Sequence, residues 1–121
     1  MDKGVRNIEN INNINKINNF LLNSNCTDFR IKCFDGGQLY IVGSFDLSYY
    51  HEIEIVFYDV FEIVMETFVQ IGFSKSSQPP FQCDVTDDNM AKIIITDDAD
   101  KKHFIICERV DGTIGTVKYY K

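Results

Sequence analysis

An α+β domain, with one N-terminal helix packed on a mostly antiparallel sheet of five or six strands, is the fold this sequence predicts. Three observations predict it. Isoleucines recur at every third position through the asparagine-rich start. Two stretches, roughly 28–44 and 92–107, alternate apolar and polar residues or run β-rich around turn-forming residues. The middle, 50–65, is dense in β-branched and aromatic residues and contains neither Ala nor Leu.

The helix is placed over residues 6–22. Ile8, Ile11, Ile14 and Ile17 follow a period of three, tighter than the helical 3.6, so they drift around the axis instead of forming a narrow stripe. Adding Phe20, Leu21 and Leu22 widens the apolar sector to about 240° at roughly 100° per residue, a face suited to broad packing. Asn23-Ser24-Asn25 is a natural stop. The triplet repeat itself reads as low-complexity sequence, and its asparagines as mediocre helix formers.

Phe29, Ile31 and Cys33 alternate with Arg30 and Lys32, Asp35-Gly36-Gly37 supplies a tight turn, and Leu39, Ile41 and Gly43 alternate on the return: an antiparallel hairpin over 28–44. Asp46-Leu47-Ser48 makes the next turn. Residues 50–65 read as one long strand, bent or bulged at Asp59, although a helix over 60–71 also fits, with Asp59 and Glu62 as a capping pair and Gly72 as its stop. Residues 73–83 read as a loop, because Pro79-Pro80 denies donors to a sheet. Residues 92–96 and 103–107 form a second hairpin around the polar turn 97–102, Asp111-Gly112 turns the chain again, and 113–120 returns as a last strand.

A chain of 121 residues with 45% hydrophobic and 25% charged residues is expected to fold as one domain around one core. No apolar run approaches the roughly 20 residues of a membrane span, and the N-terminus lacks a secretory apolar region, so a cytoplasmic protein is expected. Cys26, Cys33, Cys83 and Cys107 contain no C-x-x-C pair, so free thiols are expected and no zinc site is indicated. The net charge of −6 argues against nucleic-acid binding, which needs clustered Lys and Arg. The acidity lies in the middle of the chain: Glu52, Glu54, Asp59, Glu62 and Glu66, then Asp84, Asp87, Asp88, Asp97, Asp98 and Asp100, against Lys75 and Lys92. The last 21 residues are net positive.

Candidate chemistry is sparse. His51 sits between tyrosines and glutamates at the start of the long strand, and on the face of Ile53 and Ile55 it would lie at the rim of the core, making a structural hydrogen bond. Along an unbroken strand it would stand about 26 Å from Asp59, too far for a dyad. Asp59 interrupts an apolar face and reads as a bulge or a helix cap. The aspartates of 84–100 lack the calcium-loop pattern, and Lys101-Lys102 follows them directly. None of the phosphate-loop, dinucleotide, serine-hydrolase or zinc-protease motifs is present in the sequence. No cofactor or metal is indicated.

Residues 49–60, Tyr49-Tyr50-His51 followed by alternating Glu and Ile and then Phe57-x-Asp59-Val60, resemble a segment of small uncharacterised bacterial proteins. The resemblance implies strand and carries no activity. The functional expectation is a non-catalytic bacterial interaction domain of the immunity or inhibitor type, meeting a basic protein through Tyr49, Tyr50, His51, Glu52, Asp84, Asp87, Asp88, Asp97, Asp98 and Asp100, with Tyr119 and Tyr120 as further aromatic anchors. Neither nucleic acid nor membrane is an expected partner, whereas pairing of edge strands across a two-fold dimer is open. The alternatives are a small-molecule binder whose aromatic cavity receives His51 or Asp59, and a small enzyme using His51 or His103 with a carboxylate.

Overall fold

The computed structural model describes residues 3–72 and 79–119. Its elements are helix α1 (Lys3–Leu22) and strands β1 (Asp28–Asp35), β2 (Gln38–Ser44), β3 (Tyr50–Tyr58), β4 (Glu62–Val64), β5 (Phe68–Gln70), β6 (Phe81–Val85), β7 (Ala91–Thr96), β8 (Lys102–Cys107) and β9 (Arg109–Lys118). The fold is α+β, as expected, with the strands divided between two antiparallel sheets. One has the order β5-β1-β2-β3-β9 and the other β4-β8-β7-β6. No helix among the described residues is long and apolar enough to cross a membrane.

The hairpin β1–β2 forms where alternation places it. Asp35 pairs with Gln38 around Gly36 and Gly37, both at positive φ (60° and 79°), the two-residue turn whose twist matches the flanking strands. β3 alternates buried and half-buried residues along its whole length. It stops at Tyr58, because Asp59 adopts φ 53° and breaks the ladder. The expected single strand over 50–65 is therefore two strands, β3 and β4, in different sheets. Beyond Asp59, β4 joins the second sheet beside β8, and β5 crosses back to the first beside β1. No helix forms over 60–71 in the described part of the chain: local capping signals lose to the β-branched run, which finds partners in both sheets.

Two further expectations are corrected. Phe81, Gln82 and Cys83 were expected in a loop, yet they open strand β6: Phe81 pairs with Ile95 and Cys83 with Ile93, and the prolines only delay pairing until residue 81. The remainder of that expected loop, 73–78, lies outside the described residues. Asp111-Gly112 is not a turn but the middle of β9, where Gly112 lies opposite Ile55. Its lack of a side chain lets the helix approach, since a Cβ there would lie 2.9 Å from Ile17 Cγ1.

The inner faces of the two sheets meet over one core of Phe29, Ile41, Ile53, Ile55, Phe57, Phe81, Ile93, Ile95 and Ile105, which α1 completes with Ile14, Ile17 and Leu21. Phe29 of one sheet meets Phe81 of the other edge to face, with centroids 5.4 Å apart, a favoured aromatic geometry. Ile8 and Ile11, by contrast, are exposed, and the buried stripe of α1 is shared with Asn7, Asn10 and Asn18.

Those asparagines explain the repeat. β9 and β6 are edge strands of the two sheets, and α1 lies against both. Asn10 donates to Glu108 O (3.0 Å) and accepts from Val110 N–H (3.0 Å), Asn13 donates to Val110 O (3.0 Å), and Lys16 donates to Gly112 O. On the other edge, Asn18 donates to Phe81 O (2.8 Å) and accepts from Phe81 N–H (3.2 Å). A side-chain amide carries the same donor and acceptor as a peptide, so α1 stands in for the missing neighbouring strand at each edge.

Candidate interaction surface

The residues expected to meet a partner fall in three places. Tyr49–Glu52 lie at the start of β3, Asp84–Asp88 in and before the β6–β7 turn, and Asp97–Asp100 in the β7–β8 turn. The two aspartate groups sit at opposite ends of β7, whose six residues span about 20 Å. The ten residues therefore fall into separate groups along the fold.

His51 is 5% exposed and its Nδ1 shares a 2.9 Å hydrogen bond with the hydroxyl of Tyr119. Its Nε2 lies 3.8 Å from Glu54 Oε2, which in turn lies 3.6 Å from Lys32 Nζ. In a regular strand, residues three apart point to opposite faces. The pairing of β3 with β9 slips between His51 and Ile53, and this irregularity brings the ring towards Glu54. Burial lowers the His51 pKa, Glu54 pulls the other way, and Lys32 and Arg30 reinforce burial, so the net shift favours neutral imidazole. Tyr49 is exposed, Tyr50 and Glu52 are half-buried, and Tyr120 lies outside the described residues. One oxygen of Glu52, Oε2, is buried without a hydrogen-bond partner among the described residues.

His103 is 2% exposed and pairs with Asp97 through Nε2 and Oδ2 at 3.0 Å. The Glu66 N–H donates to Nδ1 at 3.4 Å, which makes Nδ1 the acceptor and Nε2–H the donor to Asp97. Both ring nitrogens are thus engaged by the protein, and a general base would need one free. Asp97 also accepts from the N–H groups of Ala99 and Lys101 at 2.9 Å each. Burial pushes its carboxyl up, and the bonds from His103, Lys101 and Ala99 outweigh that and hold it below the ordinary range. The site orders the β7–β8 turn. Asp98 and Asp100 are exposed, the latter at φ 62°.

Asp84, Asp87 and Asp88 are all exposed, and among the described residues none forms an ion pair. Lys92 stands directly opposite Asp84 across β6–β7, but its ammonium lies over the Phe104 ring, 4.5 Å from the centroid. Beside Asp84 opens a groove of about 290 Å³ between β6 and α1, lined by Ile11, Asn15 and Cys83 among others. Neither His51 nor Asp59 lines it. Sequence reasoning missed the groove because it placed residues 81–83 in a loop and gave Ile8 and Ile11 to a broad packing face of the helix.

All four cysteines are free. Burial pushes the Cys26 and Cys107 thiols up to about 12 and Cys83 up to about 11, so these three stay protonated near neutral pH. Among the described residues no three His, Cys, Asp or Glu side chains gather as a metal-holding group. Comparison with known proteins finds no matching family, no matching curated protein and no matching solved structure.

Proposed function

We propose that this chain is a non-catalytic interaction domain that meets a basic protein partner through the acidic β6–β7 hairpin. The observation that carries the reading is the trio Asp84, Asp87 and Asp88, exposed and unpaired among the described residues, with Asp84 lining a groove of mixed polar and apolar walls that include Ile11, Ile14 and Phe81. Unpaired carboxylates steer a cationic surface into encounter, and the apolar side chains in the adjoining groove supply burial that slows its departure. An inhibitor or immunity protein is the type such a surface suits, because covering a basic surface needs no chemistry.

The test is retention of lysate proteins on the immobilised chain at roughly 0.05 M and about 0.5 M salt, where screening differs strongly. Basic proteins are expected to be held at low salt, released at high salt, and lost from the Asp87→Lys/Asp88→Lys variant. Retention indifferent to salt and to that charge reversal would overturn the reading.

A further inference from the structure

The edges of β9 and β6 are both met by α1, but to different extents. Phe81 turns both its N–H and its C=O away from β7, towards Asn18, whereas Pro80 O accepts from Thr96 N–H and Thr86 N–H donates to Met90 O on the β7 side. Alternation along an antiparallel strand then turns the N–H and C=O of Cys83 and Val85 outward as well. Among the described residues no hydrogen bond is formed to these groups on that side. The helix is pinned at Asn18–Phe81 and again where Asn7 donates to Asn89 O at 3.2 Å, and between the two pins it stands off the strand, leaving the groove.

The wall of that groove accounts for the exposed isoleucines. Residues 8, 11, 15 and 18 follow the 3-4-3 spacing of one helix face. Asn18 of this face touches β6, Ile11 and Asn15 line the groove, and Ile8 continues the stripe. Ile8 is 60% exposed, Ile11 39%, and Val85 on the facing strand 45%. Other edges carry devices against pairing. β4 and β5 are three residues long, while β9 has a bulge opposite the His51–Ile53 segment, a lysine at residue 118, and side-chain cover from α1 as far as Gly112. The Cys83–Val85 edge has none of these, and its charge is negative.

We propose that an extended segment of the partner, carrying lysine or arginine, adds as a strand to β6 at Cys83 and Val85, beneath Ile8 and Ile11. The inference rests on the basic-partner reading and specifies how that partner docks. Backbone bonds to Cys83 and Val85 fix the segment as a strand, its apolar side chains enter the groove, and its cations meet Asp84, Asp87 and Asp88. The groove volume suits one or two side chains, so the contact is a short strand and not a whole domain face.

The test uses the full chain and a short blocked peptide alternating valine with lysine and threonine, followed by amide hydrogen exchange at low salt. Exchange of the Cys83 and Val85 amides is expected to slow about tenfold or more on peptide addition. Val85→Pro removes an outward N–H that no ladder bond uses, so the fold should persist, checked by its amide spectrum, while affinity falls about tenfold. Val85→Thr should retain binding. If the lysine peptide shifts Asp87 and Asp88 but leaves the two amides unprotected, and Val85→Pro binds as the parent does, strand addition is overturned and the basic-partner reading survives. If the peptide binds nowhere at low salt, both are overturned. Equal protection by the glutamate analogue overturns the choice of a basic segment. Protection that grows with protein concentration without peptide assigns the edge to a second copy, which overturns the proposal.

Discussion

The edge of β9 beside α1 and the edge of β6 pose one problem and receive unequal answers. At β9, Asn10, Asn13 and Lys16 follow the strand past Glu108, Val110 and Gly112, and Asp111 accepts from the Gly112 N–H, so each outward group in that stretch has a partner. At β6, Asn18 serves Phe81, and among the described residues the next two outward residues go without. The lesson is that a helix can seal a strand edge residue by residue through amides spaced three apart. Where the helix departs from the strand, the seal ends and a binding edge begins.

The comparison is broken most severely at Asn10. Asn10→Leu keeps the branched shape and orphans a buried N–H at Val110 and a C=O at Glu108, so it should cost about 3 kcal/mol in denaturant unfolding. Asn18→Leu should cost somewhat less, about 2–3 kcal/mol, because it orphans two groups of one residue beside an open groove. A loss below about 0.5 kcal/mol in both would show that water replaces the amides and that α1 seals nothing. Gly112→Ala tests the close approach of Ile17 on the sealed side and should cost about 1–3 kcal/mol by overpacking. Ile11→Asn, on the open side, should cost about 1 kcal/mol, less than the sealed-side changes, since the side chain is already 39% exposed. It should nonetheless weaken peptide binding.

The two buried histidines allow a separate contrast. Burial favours neutral His51, so its folded pKa lies below its ordinary value of 6.5. The stability it contributes is therefore complete above pH 6.5 and is lost as pH falls from there towards the lowered value, because the unfolded chain takes the proton first. Unfolding midpoints at pH 7.5 and 5.5 should show a loss in the parent chain that is smaller in His51→Phe. Asp97, held below its ordinary value of 3.8, behaves differently: its contribution persists through that interval and is lost only in stronger acid, as pH falls from about 3.8 through the lowered value.

Much of the fold was legible because its signals are local. Alternation fixed β1, β2, β7 and β8 nearly to their ends and the start of β3, and Asp35-Gly36-Gly37 fixed the first turn. The acidic residues were legible as residue types, but their grouping was not: composition cannot show that Asp84 and Asp98 lie at opposite ends of one strand, or that Asp97 is committed to His103. Asp59 was legible as a break, and the change of sheet it allows was not.

By itself, the sequence determined the helix, the hairpins and the acidic middle, since backbone propensity and side-chain period act within a few residues. Only the tertiary structure decided that the strands divide between two sheets, that Phe81–Val85 is an edge strand, and that asparagines of α1 bond to backbone 63 to 100 positions away. The physical reason is that an amide in a helix has no preferred partner until a strand edge with unpaired peptide groups is brought beside it. That meeting depends on how every other element has packed.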